Sequence, residues 1–143
     1  MNARVLLGGI AAAFVLFAGR TVVSTFLIRD EMLMIYEVPA TTGEFAVALA
    51  FGLAQGLAIA WLYAAVRPRL GPGPMTALLV GVAVWILSSP HYLLVLGHVR
   101  MAGHMDHYPW EKYALYVAPA SLVATCLAAL AGGVIYREGK VAA

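Results

Sequence analysis

A chain of 143 residues that is 63% hydrophobic and 11% charged, with a formal net charge of +2, has too little polar surface to clothe a water-soluble globule. Its mean hydropathy of +0.88 makes lipid the expected solvent. A single cysteine, Cys126, excludes a disulfide framework, and with no basic patch no nucleic-acid partner is expected.

Four apolar stretches follow in chain order. A spanning helix needs roughly 20 apolar residues, because the hydrocarbon core is about 30 Å thick and each residue rises about 1.5 Å. Residues 5–28, interrupted by Arg20, meet this requirement, as do residues 45–66, 75–96 and 113–136. The alternating polarity of barrel strands is missing. The expected fold is therefore all-α, a four-transmembrane-helix bundle forming one integral membrane domain over residues 1–143. Arg4 followed by an apolar run also suits a signal peptide. Phe17, however, is too bulky for a cleavage position and apolar character resumes after Arg20, so the first stretch reads as a retained span.

Basic residues set the expected orientation. Arg4, Arg67, Arg69, Arg137 and Lys140 fall on one side, against Arg29, Arg100 and Lys112 on the other. Excess Lys and Arg marks the cytoplasm, which predicts both termini inside. The acids Asp30, Glu31, Glu37, Glu44, Asp106 and Glu111 gather outside. Trp61, Tyr63 and Tyr136 then read as aromatic anchors of the inner interface, with Tyr36, Tyr108, Trp110 and Tyr113 at the outer one.

Between the second and third stretches, residues 67–74 (Arg-Pro-Arg-Leu-Gly-Pro-Gly-Pro) predict a tight non-helical turn whose prolines end the second helix, with Pro74 suited to the first turn of the third. Longer outer loops are expected over residues 29–44 and 97–112, and Pro90 and Pro119 should bend the helices that hold them. Residues 6–11 (Leu-Leu-Gly-Gly-Ile-Ala) resemble residues 78–83 (Leu-Leu-Val-Gly-Val-Ala), and the second and fourth stretches both end in a tyrosine followed by basic residues. Two tandem helical hairpins would produce this pattern, and so would apolar composition by itself.

Small residues predict how the helices meet, since hydrophobicity cannot drive association inside lipid. Gly52, Gly56, Ala60 and Ala64 form one stripe, Ala124, Ala128 and Gly132 another, and Gly9 and Ala13 a shorter one. They suit internal packing, self-association or contact with other membrane subunits equally well. Gln55 should hydrogen-bond across a helix interface.

Two groups of residues have chemical potential. Arg20 and His91 lie at similar depth in the outer half, near Ser88 and Ser89. Together they suggest a polar pocket between the first and third helices; alternatively Arg20 snorkels to the headgroups and binds lipid phosphate. The second group is His98, Met101, His104, Met105, Asp106 and His107 in the third loop. Imidazole with thioether suits copper and imidazole with carboxylate suits zinc, although a solvated interfacial loop needs no metal. His91 is also a candidate single axial ligand for haem or chlorophyll. No nucleophile elbow, phosphate-cradling glycine loop or paired catalytic carboxylates appear, so an enzyme is not expected.

At residues 61–74 (Trp-Leu-Tyr-Ala-Ala-Val-Arg-Pro-Arg-Leu-Gly-Pro-Gly-Pro) and 133–138 (Gly-Val-Ile-Tyr-Arg-Glu) the chain resembles a group of uncharacterised small bacterial inner-membrane proteins with four predicted spans. The resemblance implies a bacterial source and a stand-alone domain in the cytoplasmic membrane. It transfers no catalytic or binding residues. The expected role is a non-enzymatic accessory or structural subunit, or a small binding protein. Outer-face metal handling and an oligomeric transporter or channel are the alternatives.

Overall fold

The computed structural model describes residues 3–27, 42–101 and 113–136, with side chains described except at residues 24, 44, 89–101 and 113–114. Among the described residues there are four α-helices, α1 (Ala3–Phe26), α2 (Thr42–Leu70), α3 (Pro74–Met101) and α4 (Ala118–Ile135), the last preceded by a π-helical turn over Tyr113–Val117. Three helical stretches, Ala3–Val23 of α1, Phe45–Leu70 of α2 and Leu115–Ile135 across the π-turn and α4, are long and apolar enough to cross a membrane. The described apolar stretch of α3 is shorter, Pro74–Ser88, within a helix of 28 residues.

The helices alternate up and down. α1 packs most extensively against α2 and α4, while α3 lies mainly on α4 and more lightly on α2. Ala3, the turn between α2 and α3, and Tyr136 consequently share one end of the bundle, here termed the turn end.

The packing inverts that of a soluble protein. Ala12, Ala60, Ala128 and Ala129 are fully buried, whereas Phe14, Phe51 and Leu87 are 74%, 69% and 78% exposed. Small residues inside let helix backbones approach, and large apolar ones outside face the lipid. At the closest approaches no side chain fits: a Cβ on Gly8 would lie 2.9 Å from the Gly132 oxygen, and one on Gly9 2.9 Å from the Leu57 Cα. Gly19 meets Ala124 and Gly81 meets Cys126 in the same way. The stripes on α2 and α4 thus pack largely within the bundle. Gly52 is the exception, with nothing within 4 Å of its Cβ position. It borders a groove of about 170 Å³ between α1 and α2, beside Phe14 and Leu53.

Four sequence expectations are corrected. α2 does not stop before the prolines but continues through Pro68 to Leu70. A proline's φ is already helical, and in the last turn it sacrifices one hydrogen bond where the ladder is about to end anyway. The chain leaves the helix at Gly71 instead, whose φ of +83° is left-handed and whose N–H still donates to the Arg67 carbonyl at 2.9 Å.

α3 likewise passes residue 96 and reaches Met101, which puts His98 and Met101 on a helix and not in the loop. Gly97 is a weak breaker, costing about 1 kcal/mol in a helix, and the next proline is Pro109. Pro119 sits in the first turn of α4, not in mid-helix. Its missing N–H is harmless there, and the disruption takes the form of the preceding π-turn. Lastly, Tyr63 and Tyr136 are buried against each other, whereas Trp61 is exposed.

Candidate functional site

Polar side chains in an apolar bundle must find partners or pay for desolvation. Several hydroxyls do so by folding back on their own helix: Thr21 donates to the Phe17 carbonyl at 2.9 Å, and Thr125 to that of Ser121 at 2.7 Å. Trp85 Nε1 crosses from α3 to α4 and donates to Ser121 Oγ at 2.9 Å.

One set of polar groups crosses three helices. Arg20 Nη2 on α1 donates to Gln55 Oε1 on α2 at 2.5 Å. Gln55 Nε2 in turn donates to Ser88 Oγ on α3 at 3.5 Å, and Ser88 donates to the Val84 carbonyl at 2.8 Å. The direction of donation is consistent throughout, ending on a backbone acceptor. Gly9 faces Leu57 and Gly56 faces Ala13, so the antiparallel register puts Gln55 more than a turn deeper than the residue opposite Arg20. The arginine reaches inward to it, following the tilt of helical side chains toward the helix N-terminus.

The chemistry of this thread follows from its members. A guanidinium keeps its proton in proteins and offers five N–H donors. Gln55 and Ser88 are half-buried, and the Ser88 hydroxyl hydrogen is committed to the helix. Arg20 itself is exposed on the bundle flank. The arrangement holds a permanent positive charge at a defined height and leaves donors for a carboxylate or phosphate. Of the pocket expected from sequence, the structure links Arg20 to Ser88 through Gln55. The side chains of Ser89 and His91 lie outside the described residues.

The metal candidates are largely outside the described residues as well. His104, Met105, Asp106 and His107 fall wholly outside them, and of His98 and Met101 the helical backbone alone is described. Among the described residues no three His, Cys, Asp or Glu side chains come together.

A second site escaped the sequence reading. At the turn end a cavity of about 540 Å³ is lined by Tyr63, Arg67, Gly73, Ala77, Gly133 and Tyr136, among others. The Tyr63 and Tyr136 rings meet edge to face, 6.0 Å between centroids, and Arg67 Cζ lies 5.7 Å from the Tyr136 centroid. The Gly73 N–H donates to the Tyr63 hydroxyl at 3.4 Å. A signal for the site existed in the tyrosines that close both the second and the fourth stretches beside basic residues.

Compared with protein-family models, curated proteins and solved structures, the chain matches none of them.

Proposed function

We propose that the chain is a small non-enzymatic protein of the bacterial cytoplasmic membrane, an accessory subunit or binding protein that engages an acidic group at Arg20. In this reading all four helices cross the bilayer and the turn end faces the cytoplasm. The supporting observation is the Arg20–Gln55–Ser88 thread. A charge within a span is costly and ordinarily faces protein, a polar cavity or a counter-charge. Here Gln55 of α2, itself bonded to Ser88 of α3, holds the guanidinium on the flank of the bundle. A carboxylate on another membrane subunit would complete it with charge-assisted hydrogen bonds.

Affinity capture from native membranes tests the proposal, comparing the wild type with Arg20→Gln. A membrane partner should co-purify with the wild type, and its yield should fall about tenfold or more with the variant. Recovery of the wild type alone in mild detergent, or equal capture by both proteins, would overturn it. Reporter fusions test the orientation: a cytoplasmic reporter should be active after residue 70 and inactive after residue 106.

A further inference from the structure

We propose that the acidic group engaged at Arg20 is a carboxylate within a transmembrane helix of the partner. That helix lies along the groove between α1 and α2 and puts a bulky apolar side chain into the open space at Gly52. The inference rests on the Arg20 reading and specifies the form of the partner.

Depth favours a protein carboxylate over a lipid headgroup. Arg20 stands three positions from Val23, the end of one apolar stretch, and Gln55 ten positions from Phe45, the matching end of the next. These are about 5 and 15 Å along the helices. A snorkelling arginine extends outward to the phosphates, whereas this one reaches inward and bonds Gln55. Its charge is thus held at a level that a carboxylate on a spanning helix reaches and a headgroup phosphate does not. An intramembrane acid is itself costly, so each charge offsets the other. The guanidinium N–H groups beyond the one given to Gln55 suit a carboxylate's two oxygens.

The groove supplies the seat. Gly52 is buried at its floor, yet a Cβ there would meet nothing within 4 Å. The walls are Phe14 and Phe17 of α1 with Leu49 and Leu53 of α2, all four of them exposed. A hole framed by side chains of this kind accepts a knob from a facing helix. Its volume of about 170 Å³ gives room for about six heavy atoms at the volume of a water each, the size of one leucine or phenylalanine side chain. Gly56, one turn along, is already closed against Ala13, so the α2 stripe is open at Gly52. The charge and the hole adjoin. Arg20 follows Phe17 by three positions on α1, and Gln55 follows Gly52 by three on α2, about one turn in each case. Charge complementarity thereby selects the occupant.

The full chain reconstituted in phosphatidylcholine vesicles tests this, with a lysine-flanked leucine–alanine transmembrane peptide as the probe. The peptide carries one Glu about a third of the way along its span, or Gln in its place. Energy transfer from the native tryptophans to a dansyl group on the peptide reads the association. The wild type should bind the Glu peptide about fivefold or more tighter than the Gln peptide, and Arg20→Gln should abolish that preference. Gly52→Leu, which fills the hole from within, should weaken the Glu peptide about fivefold while the preference for Glu survives. A Glu peptide whose leucines three, four and seven positions from the Glu are changed to alanine should weaken similarly against the wild type, a result that does not depend on how Gly52→Leu folds. If the wild type treats Glu and Gln alike, the Arg20 reading fails and this inference with it. If the preference follows Arg20 but Gly52→Leu and the alanine-substituted peptide bind undiminished, the groove seating alone is overturned. Displacement of the Glu peptide when phosphatidylglycerol replaces part of the phosphatidylcholine would identify a lipid as the occupant and overturn it too.

Discussion

The Cβ that Gly56 lacks would lie 2.5 Å from the amide nitrogen of Ala13, on the neighbouring helix. That contact fixes how closely α1 and α2 approach, and through it the height at which Arg20 meets Gln55. Gly56→Ala should therefore lower unfolding stability in detergent by about 1–3 kcal/mol, the usual cost of overpacking. Gly52→Ala, one turn away with open space at its Cβ position, should change it by no more than about 0.5 kcal/mol. Equal losses at the two positions would mean that the stripe acts through helix propensity and not through packing.

The hydrogen bond between Arg20 and Gln55 should register as a coupling. A double-mutant cycle with Arg20→Leu and Gln55→Leu is expected to give about 0.6 kcal/mol, and at most about 1.7, as interhelical hydrogen bonds in membranes do. Strict additivity would show that the two side chains part in detergent.

Trp85 and Ser121 tie α3 to α4. Ser121→Ala strands the indole N–H in a half-buried position, at an expected cost of about 1–3 kcal/mol. In a Trp85→Phe background the same substitution should cost much less, because no donor remains to be stranded. Denaturant unfolding in both backgrounds, followed by far-UV circular dichroism, measures the difference.

At the turn, Gly71 is left-handed with φ +83° and its carbonyl accepts from Thr76 Oγ1 at 2.7 Å. Gly71→Ala should cost about 1–2 kcal/mol, while Gly71→Asn should cost less because asparagine tolerates this conformation. Thermal unfolding should rank the three proteins Gly, Asn, Ala. A different order would mean that the turn relaxes to right-handed geometry.

Composition and segment length were enough to establish the helical class and the lipid-facing exterior, since the number of oily residues a helix needs depends on bilayer thickness and not on its neighbours. The stripes on α2 and α4 were readable for a related reason: close backbone approach demands glycine or alanine whatever the partner helix. Which helix each stripe would meet was not readable. The contact of Gly56 with α1 and of Gly132 with Gly8 depends on register across segments far apart in sequence, and local pattern has no information on that distance. Proline misled the reading at residue 68, because the cost of a missing hydrogen bond depends on how much helix remains beyond it. Tyr63 and Tyr136 look like surface anchors one at a time; only the convergence of two helix ends turned them into the rim of a cavity around Arg67. The chain's solvent was decided residue by residue, whereas its sites came from three-dimensional meetings between residues that are individually unremarkable in the sequence.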